Sequence, residues 1–160
     1  VNLKRVGKTG FVFQLSAREK EILVDTLQLY PLVHASHHRL TRAATEQSEE
    51  NQRLLEEALA LQRTKNRREI EALLSEPGRF KPSGKQQQLP LQATEIEWLL
   101  QVLNDIRVGS WVHLGEPDED RPPAMTPENY RYAVALEVSG AFQSVLLAAL
   151  GEAESPEWQK

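Results

Sequence analysis

Residues Glu46 to Ser75 run for thirty positions without glycine or proline and are dominated by Glu, Gln, Leu, Ala and Arg. All five are strong helix formers, so the run predicts helix throughout. At 1.5 Å per residue it would be roughly 45 Å long. A 160-residue globule has a radius of gyration of about 15 Å and so a diameter near 40 Å. The helix must therefore protrude or break. Leu54, Leu55, Ala58, Leu59 and Leu61 form one apolar stripe, and Ile70, Leu73 and Leu74 form another. Between them Gln62–Glu69 has no apolar residue, which predicts a solvated helix middle or a hinge between two helices.

The remaining chain divides around this rod. Residues 3–14 hold two β-prone pieces flanking Gly7-Lys8-Thr9-Gly10, a hairpin signature. The same four residues resemble a phosphate loop only superficially: the first glycine is missing, and a strand rather than a helix follows. Ser16-Ala17-Arg18-Glu19 is a capping box that opens a helix over 17–30, closed by Pro31. Ser36 could cap a short helix over 37–44. Residues 77–92, with three prolines, two glycines and the Gln86–Gln88 run, read as an unstructured internal connection. Thr94-Glu95-Ile96-Glu97 reads as a second capping box, starting a helix to about Val112. An acidic, proline-rich loop fills 116–123. Thr126 and Pro127 then start a last helix, over 126–150, that Gly151 should stop, leaving 152–160 as a loose tail. The expected fold is mainly α: one domain over 1–160, a helical bundle of four to six helices with a short N-terminal β-hairpin.

Composition narrows the chemistry. The chain has no cysteine, which excludes disulfides, thiolate metal sites and cysteine nucleophiles. No uninterrupted apolar run reaches the roughly 18 residues of a bilayer span, and Val1–Phe13 is too cationic and too short of apolar residues for a secretion signal. The expectation is a cytoplasmic protein. The net charge of −4 conceals a split, with +4 over residues 1–90 and −8 over residues 91–160. Opposite charges on two halves of one chain favour self-association or internal docking over nucleic-acid binding.

The last two helices are apolar on two sides. Ile96, Leu99, Leu100, Leu103 and Ile106 share one face of the first, with Trp98 and Val102 nearly opposite. In the second, Tyr130, Val134, Val138, Ala141, Phe142, Val145 and Ala149 form one broad face; Tyr132, Leu136, Leu147 and Leu150 form another. A surface helix shows one such stripe. These helices are therefore either central or covered by a partner, and a homodimer interface is expected at Trp98, Val102, Tyr132, Leu136, Leu147 and Leu150.

Three groups of residues suggest chemistry. His34, His37 and His38 stand three and four apart, a spacing that on one helix could hold a metal ion for hydrolysis. Arg63, Lys65, Arg67 and Arg68 form a basic patch, without the interleaved aromatics of a nucleic-acid face. Asn104 and Arg107 fall, by helical angle, beside Leu100, Leu103 and Trp111 on the expected buried face. A buried guanidinium needs partners for its five donors, so the two residues predict a structural polar network, with Glu128 or Glu137 as the carboxylate. No required cofactor follows from any of these.

Glu97-Trp98-Leu99-Leu100-Gln101-Val102-Leu103-Asn104-Asp105-Ile106-Arg107-Val108-Gly109 resembles the signature helix of a bacterial family catalogued as domain of unknown function 2017. The N-terminal hairpin, Asn51–Leu59 and the closing apolar helix are similar to it as well. The resemblance implies a bacterial origin and a partner in regulated proteolysis, because members neighbour the gene of a protease adaptor. It assigns no catalytic residue. The functional expectation is a helical protein-interaction or regulatory module acting as a homodimer, with no enzymatic activity assigned. The alternatives are a metal-dependent hydrolase built on His34, His37 and His38, and a nucleic-acid-binding regulator.

Overall fold

Alternation of apolar and polar residues makes Gly10–Ser16 a strand: Phe11, Phe13 and Leu15 point into the core, while Val12 and Gln14 are half-buried on the other face. In the computed structural model, which describes residues 1–7, 10–32, 46–118 and 120–154 (excluding the side chains of 46, 47 and 152–154), this strand is β2. It pairs antiparallel with β1 (Asn2–Val6), so the expected hairpin is present. On its other side β2 pairs with β4 (Gln86–Gln92), which pairs in turn with β3 (Lys81–Ser83), giving the order β1-β2-β4-β3. The core row runs Leu3, Phe13, Leu89 across three strands, with Phe11 opposite Leu91 beside it. Phe13 also meets Phe142 of the last helix edge-on, with ring centroids 5.8 Å apart.

The described helices are α1 (Ala17–Gln28), α2 (Glu46–Ser75), α3 (Ala93–His113) and α4 (Tyr130–Glu154). Ser16 caps α1 as expected: the Glu19 amide donates to Ser16 Oγ at 3.2 Å, and the Ser16 amide donates to Glu19 Oε2 at 2.7 Å. The second box lies two residues earlier than read, on Gln92, whose amide donates to Glu95 Oε2 at 2.8 Å. The last helix starts later. Thr126 and Asn129 exchange amide-to-side-chain bonds at 2.8 and 3.3 Å, and regular helix begins at Tyr130. It does not stop at Gly151 but continues to Glu154.

The expectation of a mainly α bundle is overturned. Four described helices accompany a four-stranded antiparallel sheet, so the architecture is α+β. The error lies in residues 77–92, read as an unstructured connection. They form the β3–β4 hairpin, turned at Gly84 with φ +61°. Pro90 argued against a strand because proline donates no ladder hydrogen bond. Strand β3 pairs only with Gln86–Gln88, so β4 is an open edge on that side at Pro90. Leu89 and Leu91, on alternate positions, carry the burial that sets the register.

Helix α2 resolves the opening constraint by protruding: Glu46–Ser75 is one unbroken helix, with no hinge at 62–69. Its C-terminal half is anchored by Ile70 and Leu73 in the core. Leu54 and Leu61 are exposed, Leu61 at 73%. One hydrophobic cluster joins the sheet to all four helices. Within it α3 is the central helix, buried through Ile96, Leu99, Val102, Leu103 and Ile106. Val102 is fully buried and is not part of a surface, which removes it from the expected interface.

Candidate functional site

The strongest polar feature is a knot that pins α2 to the core. Asn66, in the middle of the apolar-free segment, is 1% exposed. Its Nδ2 donates to the Tyr30 hydroxyl at 3.0 Å, and its Oδ1 accepts from Trp98 Nε1 at 3.2 Å and Gln62 Nε2 at 3.0 Å. The Tyr30 hydroxyl in turn donates to Asp105. One amide thus joins the end of α1, the middle of α2 and the face of α3. Burial pushes the Tyr30 hydroxyl above its ordinary pKa; the Asn66 bond and Arg63 oppose this, and the Asp105 charge adds to it. The protonated phenol is the form the fold holds. Its contribution is therefore complete below the unfolded-state value of about 10 and is lost as pH rises toward the higher folded-state value. Tyr30→Phe should cost about 1–2 kcal/mol at neutral pH and flatten the fall of stability above pH ~10. Urea titrations at several alkaline pH values check both. An unchanged alkaline slope would remove Tyr30 from the account.

Beside the knot, a cleft of about 500 Å³ opens between α2 and α3. Lys65, Glu69, Arg79, Glu95, Glu97 and Trp98 are among its walls. The Arg79 guanidinium contacts Glu95, and Lys65 lies 3.8 Å from Glu69. Opposite charges neutralise each other along these walls. Arg67 is likewise 3.3 Å from Glu71, so two of the four cations of the expected basic patch are paired one turn along their own helix.

The Asn104–Arg107 network is corrected. Both residues are exposed, and neither Glu128 nor Glu137 pairs with Arg107. The buried arc of α3 runs through Val102 and Gly109, which turns Asn104 and Arg107 to its outer rim. There, with Val108, Trp111 and Leu136, they line a shallow notch of about 210 Å³. Trp111 donates to the Pro117 carbonyl at 3.0 Å, holding the following loop against this rim.

The proposed histidine site, His34, His37 and His38, lies outside the described residues, as does the expected helix over 37–44. Among the described residues no group of three His, Cys, Asp or Glu side chains is placed to hold a metal ion. His113 is structural: it stacks on Tyr132 at 4.5 Å, and its Nε2 is 3.0 Å from the Leu32 carbonyl.

Helix α4 carries the largest departure from expectation. Its core face is Ala135, Ser139, Phe142, Leu146 and Ala149, between the two faces read from sequence. Tyr130 and Val134, read as core, are 62% and 38% exposed; Leu147 is 57% exposed. Of the other expected interface residues, Trp98 is half-buried in the knot, Tyr132 is stacked on His113, Leu150 packs against the core and Leu136 lines the notch. Over Tyr130–Gly151 the helix is long and apolar enough to cross a membrane, with mean hydropathy 1.7 and only 28% of the window buried. Arg131 and Glu137 interrupt it, which is why no unbroken apolar run marks it in the sequence. The chain matches no protein-family model, and no curated protein or solved structure is significantly similar to it.

Proposed function

We propose that this chain is a protein-interaction module that works as a homodimer through the outer face of α4. The observation that carries the reading is that α4, apolar almost throughout, is only 28% buried along its apolar window. Its exposed side presents Tyr130, Val134, Ala141 and Ala148 along one edge and Leu147 along the other, with Glu137 and Ser144 between them, and Val108 and Trp111 are exposed on α3. Large apolar side chains left exposed along one helix mark a contact site. A helix of 25 residues is about 37 Å long. The split of charge between the two halves of the chain also favours self-association.

Light scattering after size exclusion at micromolar concentration should give twice the 18.2 kDa chain mass. Val134→Lys and Leu147→Lys should each return the chain to the monomer mass while circular dichroism keeps its helical signal. A single 18.2 kDa species across the micromolar range would overturn the reading. So would a monomer that floats with phosphatidylcholine vesicles, which would make the same face a lipid contact.

A further inference from the structure

We infer that the notch between α3 and α4 is a binding site for a carboxylate carried on a small aliphatic body, the chemistry shared by a peptide C-terminus ending in an aliphatic residue and a free aliphatic acid. The inference is separate from the α4 contact proposed above. Helical spacing sets the walls. Asn104, Arg107, Val108 and Trp111 follow one another along α3 at offsets of three, four and seven, so they form one stripe of that helix. Leu136 of α4 closes the opposite side. One turn on from Leu136 is Gly140, where a Cβ would sit 3.9 Å from Arg107 Nε. The stem of Arg107 thus lies against α4 at Gly140, and a long side chain at that position would displace it.

The polar part of the notch is open to a ligand. Arg107 and Asn104 are exposed, and no ion pair or hydrogen bond holds either of them among the described residues. A guanidinium presents its donors in a fork that matches a carboxylate. Asn104 adds an amide that can donate to a carboxylate oxygen or accept from an N–H. The apolar part is fixed in advance. Trp111 Nε1 donates to the Pro117 carbonyl at 3.0 Å, so the ring keeps its place before anything binds. Val108 and Trp111 are 40% and 38% exposed, and Leu136 is half-buried. These three side chains offer apolar surface beside the free guanidinium. Size limits the ligand. About 210 Å³ equals the volume of roughly seven water molecules, which suits one leucine-sized side chain with its carboxylate and is too small for a nucleotide. Apolar walls with a few convergent polar groups are the ordinary form of a small-ligand site.

N-acetyl-leucine tests the site, read by NMR from the Trp111 indole N–H resonance, which is assigned by its loss in Trp111→Phe. A ligand of this size on a shallow site should bind with a Kd of about 1 mM. N-acetyl-leucinamide lacks the carboxylate and acetate lacks the aliphatic body, and each should bind about fivefold more weakly or worse. Arg107→Met should weaken N-acetyl-leucine binding by about five- to tenfold. Arg107→Lys should weaken it less, because an ammonium keeps the charge but not the fork. Val108→Glu sets a carboxylate beside Arg107 and should abolish binding. Both positions are exposed, so circular dichroism should stay parental. Val134→Lys should bind as the parent does, whether or not the parent dimerises. A tripeptide ending in leucine that binds more tightly than N-acetyl-leucine identifies a peptide C-terminus as the source; one that binds no more tightly identifies a free acid, and either sustains the site. An unmoved Trp111 resonance at about 10 mM N-acetyl-leucine, ten times the expected Kd, would overturn the inference. So would equal binding of the acid and its amide, or an Arg107→Met variant that binds like the parent.

Discussion

Phe13→Ala should lower the free energy of unfolding by about 3–5 kcal/mol, the loss typical of a large buried aromatic. Phe13 is fully buried, sits between Leu3 and Leu89 on the neighbouring strands, and meets the Phe142 ring edge-on at 5.8 Å. Its removal opens a void where the sheet contacts α4, and rings on two different elements have no route to collapse into it. Against a total stability of roughly 5–15 kcal/mol this is a large fraction. With a urea slope of about 2 kcal/mol/M, the midpoint should fall by roughly 1.5–2.5 M. Leu61→Ala is the matched control: Leu61 is 73% exposed on the protruding half of α2, and its loss should change stability by about 0.5 kcal/mol or less. Equal effects of the two substitutions would show that the sheet does not form the floor of the core.

Asn66→Leu should cost about 2–4 kcal/mol although it adds apolar surface to a buried position, because it strands polar groups that Asn66 now satisfies. Trp98 Nε1 and Gln62 Nε2 lose their acceptor, and the Tyr30 oxygen loses a donor. Asn66→Asp separates satisfaction from packing. It keeps the acceptor for Trp98 and Gln62, but sets a buried carboxylate beside the Tyr30 hydroxyl and Asp105. That variant should be near parental stability at low pH, where the new carboxyl is protonated, and fall progressively as pH rises through its raised pKa. Chemical denaturation between pH 4 and 8 reads this directly. Should Asn66→Leu prove neutral, α2 is held by Ile70 and Leu73 alone. Hydrogen exchange along α2 gives an independent check. Amides near Asn66 should be protected close to the global limit, and those around Leu54 should exchange through local opening.

Much of the fold was legible in local chemistry. The hairpin of β1 and β2, the Ser16 cap of α1 and the helical state of Glu46–Ser75 all follow from residue type and spacing within a few positions. The position of Asn66 was legible too, with a stricter use of period. Leu55, Leu59, Arg63, Asn66, Ile70 and Leu73 form one inward stripe of α2 that passes through the polar segment without interruption. Counting apolar residues hid it, because the buried residue there is an amide. The β3–β4 hairpin was hidden for the opposite reason. Pro90 is acceptable in β4 only because β3 ends short of it, and that is a property of the pairing rather than of the strand.

The sequence by itself determined that Glu46–Ser75 had to be helical and that a helix so long had to protrude or break. Helix propensity is a local property, and length follows from residue count. Only the tertiary structure decided that it protrudes, because the choice turned on whether one amide in its middle could be satisfied by Tyr30 and Trp98. Tertiary packing likewise decided which sides of α3 and α4 are covered. On helices apolar most of the way round, no stripe names the core face. On α4 the small residues Ala135 and Ser139 took it together with Phe142 and Leu146. That choice left Tyr130, Val134 and Leu147 outside.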